Sequence, residues 1–122
     1  MEEPVRITDQ GDGTLEVSLY GDIDFGNSPG VREAIREAVT RLAPSAVRVD
    51  LGGVTFLDSS GIAVLVVAHR MAGAAGAGYT VVNATPGVYE HLRLTGLAEL
   101  FGVPHPAGPA AAGEPAPPPS TR

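Results

Sequence analysis

A chain of 122 residues with 43% hydrophobic content is long enough for one packed domain and short for two. It contains no cysteine, which excludes a disulfide framework, thiol chemistry and zinc–thiolate sites and makes a cytoplasmic setting the economical expectation. The formal charge of -6, with every cation an arginine, argues against nonspecific nucleic-acid binding, which depends on cations neutralising phosphates.

The chain opens on MEEP, acidic where a secretory signal would be basic and then apolar. Its longest apolar run, around 62–68, falls far short of the ~20 residues that span a bilayer, so no membrane segment is expected. In VRITDQGDGTLEVSLYGDI, Val5 and Ile7 alternate with polar residues before a turn, and Leu15, Val17 and Leu19 do so after it. Asp12-Gly13 supplies a tight-turn signal, which predicts an antiparallel hairpin whose second strand ends near Ile23. GDIDFGNSPG then gathers turn formers, with Ser28 expected as N-cap and Pro29 as the first helical residue. Val31, Ile35, Ala38, Val39 and Leu42 form one stripe of an amphipathic helix that Pro44 terminates.

Val47, Val49 and Leu51 predict a third strand, parallel to its neighbour because a helix intervenes. Gly61 to Ala75 is apolar nearly all round, which predicts a largely covered helix. Tyr79, Val81 and Val82 follow as a short buried strand. Thr85-Pro86 opens a further helix carrying Val88, Tyr89, Leu92 and Leu94, stopped by Gly96. LAELFGV adds a helical turn with a last strand as an option. From Pro104 to Arg122 the Pro-, Ala- and Gly-rich composition predicts a disordered tail, leaving residues 1–103 as the domain. The order ββαβαβα predicts an α/β fold: a mixed sheet, with an N-terminal antiparallel hairpin followed by parallel strands, covered by helices.

The sharpest local conflict lies in TFLDSSGIAVLVVAHRM, where Asp58, Ser59 and Ser60 interrupt two apolar elements and Gly61 follows. Such a polar step is a helix N-terminus, capped by Asp58 or Ser59, and Gly61 lets the backbone approach a neighbour closely. Capping alone would account for it. Other constellations are weaker. Asp22 and Asp24 suit a strand end and turn better than a metal pair. His69, His91 and His105 lie in separate segments and suit packing or surface roles better than a metal site. Ser60 has no Gly-x-Ser-x-Gly elbow and no evident His–acid pair, which argues against a hydrolase and for a noncatalytic protein with no cofactor of its own.

LGGVTFLDSSGIAVLVVAHR resembles the signature of the STAS family, in particular its small anti-sigma factor antagonists. GDID at Gly21–Asp24 resembles that family's Gly-Glu-Leu-Asp strand end, and VYEHLRLTGLAELFGV resembles its closing helix and last segment, so that the likeness runs from Val5 to Val103. The chain departs from the pattern at Asp22, where the family has Glu, and at Ala63, where it often has Gly. The resemblance implies the STAS fold and a phosphorylation switch. Ser60 would accept phosphate from a partner that is both anti-sigma factor and serine kinase, and a metal-dependent serine phosphatase would reset it. Asp24, Asp58, Ser59, Ser60 and Gly61 would make up the partner-binding site. Other roles in the same family, as a scaffold subunit of a stress-sensing complex or an accessory subunit of a lipid transporter, stay open on sequence.

Overall fold

The computed structural model describes residues 3–106. Strand β1 (Val5–Asp9) and strand β2 (Thr14–Ile23) form the hairpin, followed by helix α1 (Ser28–Leu42), strand β3 (Ala46–Leu57) and helix α2 (Ser59–Ala74). Strand β4 (Gly78–Val82) and helices α3 (Pro86–Leu94) and α4 (Leu97–Leu100) complete the fold. The sheet has the order β1-β2-β3-β4, antiparallel at β1–β2 and parallel at the other two pairings. This is the expected mixed α/β architecture.

Alternation decides which sheet face is covered. Leu15, Val17 and Leu19 of β2 and Val47, Val49 and Leu51 of β3 are buried under the helices. The residues between them form a polar opposite face, on which Arg48 reaches the Glu16 carboxylate at 2.6 Å. The hairpin differs from expectation in its turn. Four residues, 10–13, connect the strands, with positive φ at Gly11 and Gly13 rather than at an Asp12-Gly13 pair. The Asp12 carboxylate instead accepts the Thr14 amide at 2.9 Å. The β2–β3 register shifts twice, because β3 carries an extra residue opposite Ser18–Tyr20 and another opposite Gly21–Asp22. At the first bulge Gly53 lies under the Tyr20 ring, where an added Cβ would sit 2.5 Å from Tyr20 Cδ1.

Helix α1 buries Val31, Ile35, Ala38 and Val39, as its stripe predicts, with Leu42 partly buried beside them. Ser28 does not act as its N-cap: it is the first helical residue and 2% exposed. The preceding turn starts the helix instead, since the Asp24 carbonyl accepts the Asn27 and Ser28 amides at 3.3 and 2.9 Å. Helix α2 is less covered than its sequence predicts. Gly61, Val64, Leu65, Ala68 and Ala72 are buried, whereas Ile62, Ala63, Val66 and Val67 are partly exposed, because only the sides meeting α1 and the sheet are covered.

Strand β4 is an edge strand rather than a buried one, and only Val81 is fully enclosed. Tyr79 packs its ring with His69 and Phe101 at centroid distances of 5.3 and 5.5 Å, which makes His69 a packing residue. The Tyr79 hydroxyl donates to the Leu65 carbonyl at 2.9 Å, and burial pushes its pKa up. Leu94 ends α3 in solvent, 69% exposed, while Val88 and Leu92 hold the helix down. No strand follows α4 among the described residues; one bond, Val81 N–H to the Phe101 carbonyl at 3.2 Å, ties that segment to β4. Of the proposed tail, His105 rests against Tyr89 with centroids 4.8 Å apart, and residues 107–122 lie outside the described residues.

Candidate functional site

Strands β2 and β3 finish level, with Ile23 opposite Leu57, and each is followed immediately by an aspartate. Asp58 is the N-cap of α2, in extended conformation. Its Oδ1 accepts the Ser60 amide at 2.7 Å and the Gly61 amide at 3.0 Å, and its carbonyl accepts the Ile62 amide at 2.9 Å. Its other oxygen, Oδ2, accepts the Phe25 amide from the neighbouring loop at 3.3 Å. One carboxylate therefore joins the start of α2 to the β2–α1 connection.

Asp24 acts within its own loop. Its Oδ1 accepts the Gly26 and Asn27 amides at 2.9 and 3.2 Å, and its own amide donates to Asn27 Oδ1 at 2.9 Å. Asn27 Nδ2 donates to the Asp22 carbonyl at 2.8 Å, and the Asp22 carboxylate accepts the Thr55 hydroxyl at 2.6 Å. The Asp22 and Asp24 carboxylates thus serve a cross-strand pair and a turn. No group of three or more His, Asp or Glu residues is placed to hold a metal ion among the described residues.

The fold brings Asp24, Asp58, Ser59 and Ser60 to one end of the sheet, with Ser59 exposed and Ser60 partly buried. Gly61 makes the close backbone approach expected of it. It is buried, and an added Cβ would meet the Ile23 carbonyl oxygen at 2.6 Å and Leu57 Cδ2 at 2.8 Å. Gly61 therefore seats α2 on the strand ends. The helix-end amides are not all open to an incoming anion, since those of Ser60 and Gly61 already donate to Asp58.

Sequence reasoning passed over Phe25, which is 80% exposed on the loop that Asp58 holds. The signal was its setting: a phenylalanine between Asp24 and Gly26, inside a run of turn formers, has no strand or helix to direct it into the core.

Comparison with known proteins places these features in a family. The STAS domain family model matches residues 6–108. An anti-sigma F factor antagonist of Paenibacillus polymyxa is 29% identical over 91 residues, spanning 75% of this chain and 78% of the relative. The crystal structure of an anti-sigma factor antagonist from Mycobacterium paratuberculosis superposes with a TM-score of 0.73 at 31% identity, covering 88% of this chain and 89% of that one. The unphosphorylated form of the anti-sigma factor antagonist SpoIIAA shares the fold, with a TM-score of 0.73 at 20% identity over 88% of this chain and 91% of that one. Among the described residues no helix is long and apolar enough to cross a membrane. With its mixed sheet, its Asp-Ser-Ser-Gly helix start and a family match over most of its length, the chain belongs to the STAS domain family.

Proposed function

We propose that this protein is an anti-sigma factor antagonist, a noncatalytic regulator that binds an anti-sigma factor with serine-kinase activity and is released when that kinase phosphorylates Ser60. ATP and magnesium belong to the kinase, and a metal-dependent serine phosphatase restores the binding form. This reading places the protein in the cytoplasm with its partners. The observation that carries it is the position of Ser60: partly accessible at the N-terminus of α2 and beside a carboxylate that three backbone amides hold in place.

A phosphate adds about 1.5 to 2 negative charges at neutral pH. At about 5 Å and an effective dielectric near 20, each unit pair of like charges costs about 3 kcal/mol before salt screening. In the free protein water solvates the dianion and the helix dipole favours it, so the fold is expected to survive modification. Asp58 occupies the Ser60 and Gly61 amides, so the phosphate gains little from those donors. Docking excludes the water while Asp58 stays fixed, and the nucleotide phosphates of the kinase add further repulsion. If exclusion of water on docking adds about 3 kcal/mol to this repulsion, affinity falls by roughly two decades, enough to separate a bound from a released state.

The test is phosphopeptide mapping after incubation with host lysate and ATP, followed by binding of wild type, Ser60→Ala and Ser60→Asp to the kinase so identified. Label on Ser60, retention by Ser60→Ala and release by Ser60→Asp are expected. Label on another residue, or equal binding by all three proteins, would overturn the reading.

A further inference from the structure

Of the three phenylalanines, Phe101 is buried in the core, whereas Phe25 is 80% exposed and Phe56 is 54% exposed. Both exposed rings belong to the site end of the sheet: Phe25 follows β2, and Phe56, one residue before β3 ends, lies opposite Asp22. Aromatic side chains are enriched at the centres of protein interfaces, where a ring filling a pocket supplies much of the binding energy. Phe25 also rides on an ordered backbone. The Asp24 and Asn27 side chains bond the loop internally, and Asp58 holds the Phe25 amide. A ring presented in this way loses little backbone entropy on docking. The carboxylate that holds it also accepts the Ser60 amide, so a partner that reaches Ser60 meets Phe25 one carboxylate away.

We propose that Phe25 is the hydrophobic anchor by which this chain docks on the partner that modifies Ser60, its ring entering an apolar pocket beside the phosphorylation site. This rests on the partner-switching reading given above. The charge around the ring argues against a second copy of this chain. Asp22, Asp24 and Asp58 bond to hydroxyl and amide donors, and among the described residues no arginine pairs with them, so this end of the sheet carries net negative charge. A second copy of the same acidic surface would be repelled, so the occupant is a different chain, the one that reaches Ser60. The anchor and the switch divide the work: the Phe25 ring supplies affinity in either state, and the Ser60 phosphate removes it.

The kinase is first identified by ATP-dependent labelling of Ser60 in fractionated host lysate and then purified. Calorimetric titration compares wild type, Phe25→Ala, Phe25→Leu and Ser60→Asp. Phe25→Ala is expected to weaken binding by at least about tenfold with an unchanged melting temperature, since the ring is in solvent. Phe25→Leu, which keeps an apolar group, loses less. If Phe25→Ala binds like wild type while Ser60→Asp is still released, the anchor is wrong and the switch stands. If no fraction labels Ser60, the switch fails and the anchor falls with it. A wild-type dimer in sedimentation that Phe25→Ala dissolves would assign the ring to self-association and overturn the proposal.

Discussion

The two strand-to-helix junctions start alike and finish differently. Asp24 and Asp58 each follow the last residue of a strand, and the two strands end level. Asp24 uses its carboxylate on its own turn, and α1 begins only at Ser28. Asp58 caps α2 directly and also holds the Phe25 amide of the other junction. The contrast continues two residues into each helix. Gly61, third in α2, has the Ile23 carbonyl and the Leu57 side chain against it, whereas Gly30, third in α1, has nothing within 4 Å of an added Cβ. The second junction is thus a packed, fixed point that presents Ser59 and Ser60. The first is a projecting turn that leans on it.

The largest expected effect tests the packed point. In Gly61→Ala the new methyl would meet a backbone oxygen at 2.6 Å, and a strand end bonded to its neighbour cannot yield as a side chain would. Overpacking of this kind costs about 1 to 3 kcal/mol, and the backbone contact favours the upper part of that range. In a domain of this size each kcal/mol lowers Tm by about 4 to 8 °C, so thermal unfolding resolves the loss easily. An unchanged Tm would mean that α2 can lift away from the strand ends, and the contrast with α1 would lose its basis.

Next comes the bridge. Asp58→Ala removes an N-cap, worth about 1 to 2 kcal/mol, and frees the Ser60, Gly61 and Phe25 amides together. Asp24→Ala frees the Gly26 and Asn27 amides. Hydrogen exchange followed by NMR separates the two. Asp58→Ala should accelerate exchange at Phe25, in the other junction, while Asp24→Ala should leave Ser60 and Gly61 protected. If exchange at Phe25 ignores Asp58→Ala, the junctions are independent and the shared carboxylate couples nothing.

Much of this contrast was legible in the sequence. The polar step at Asp58 between two apolar elements marks a helix start, and Asp58 supplies the cap bonds. The stripe from Val31 to Val39 names the buried face of α1, because one-sided burial leaves a 3.6-residue period. Periodicity fails where coverage depends on what lies alongside. Nothing in Tyr79, Val81 and Val82 says that β4 ends the sheet, and nothing in the apolar run of α2 says that one of its sides stays in solvent. Long-range contacts are equally silent. Gly61 pointed to a close backbone approach, and only the fold shows that the neighbour is the chain's own Ile23 carbonyl. The bond from Phe25 to Asp58 spans 33 positions, a separation at which no local pattern operates.

The smallest expected effect has the opposite sign and uses the matching glycine. Gly30 sits in α1 with no positive φ, so alanine can adopt its backbone conformation without strain. Open space around the new methyl removes any packing penalty, and the remaining term is the restricted freedom of the unfolded chain. Gly30→Ala is therefore expected to raise stability by about 0.4 to 1 kcal/mol, read as a higher denaturant midpoint with an unchanged slope. The same substitution two residues into each helix would then stabilise one junction and destabilise the other. Because both changes reduce unfolded-state entropy equally, their difference isolates the contact between Gly61 and the strand ends. Should Gly30→Ala also destabilise, the loss in Gly61→Ala could not be assigned to that contact, and the rigidity argued for the Ser60 junction would have to rest on Asp58 alone.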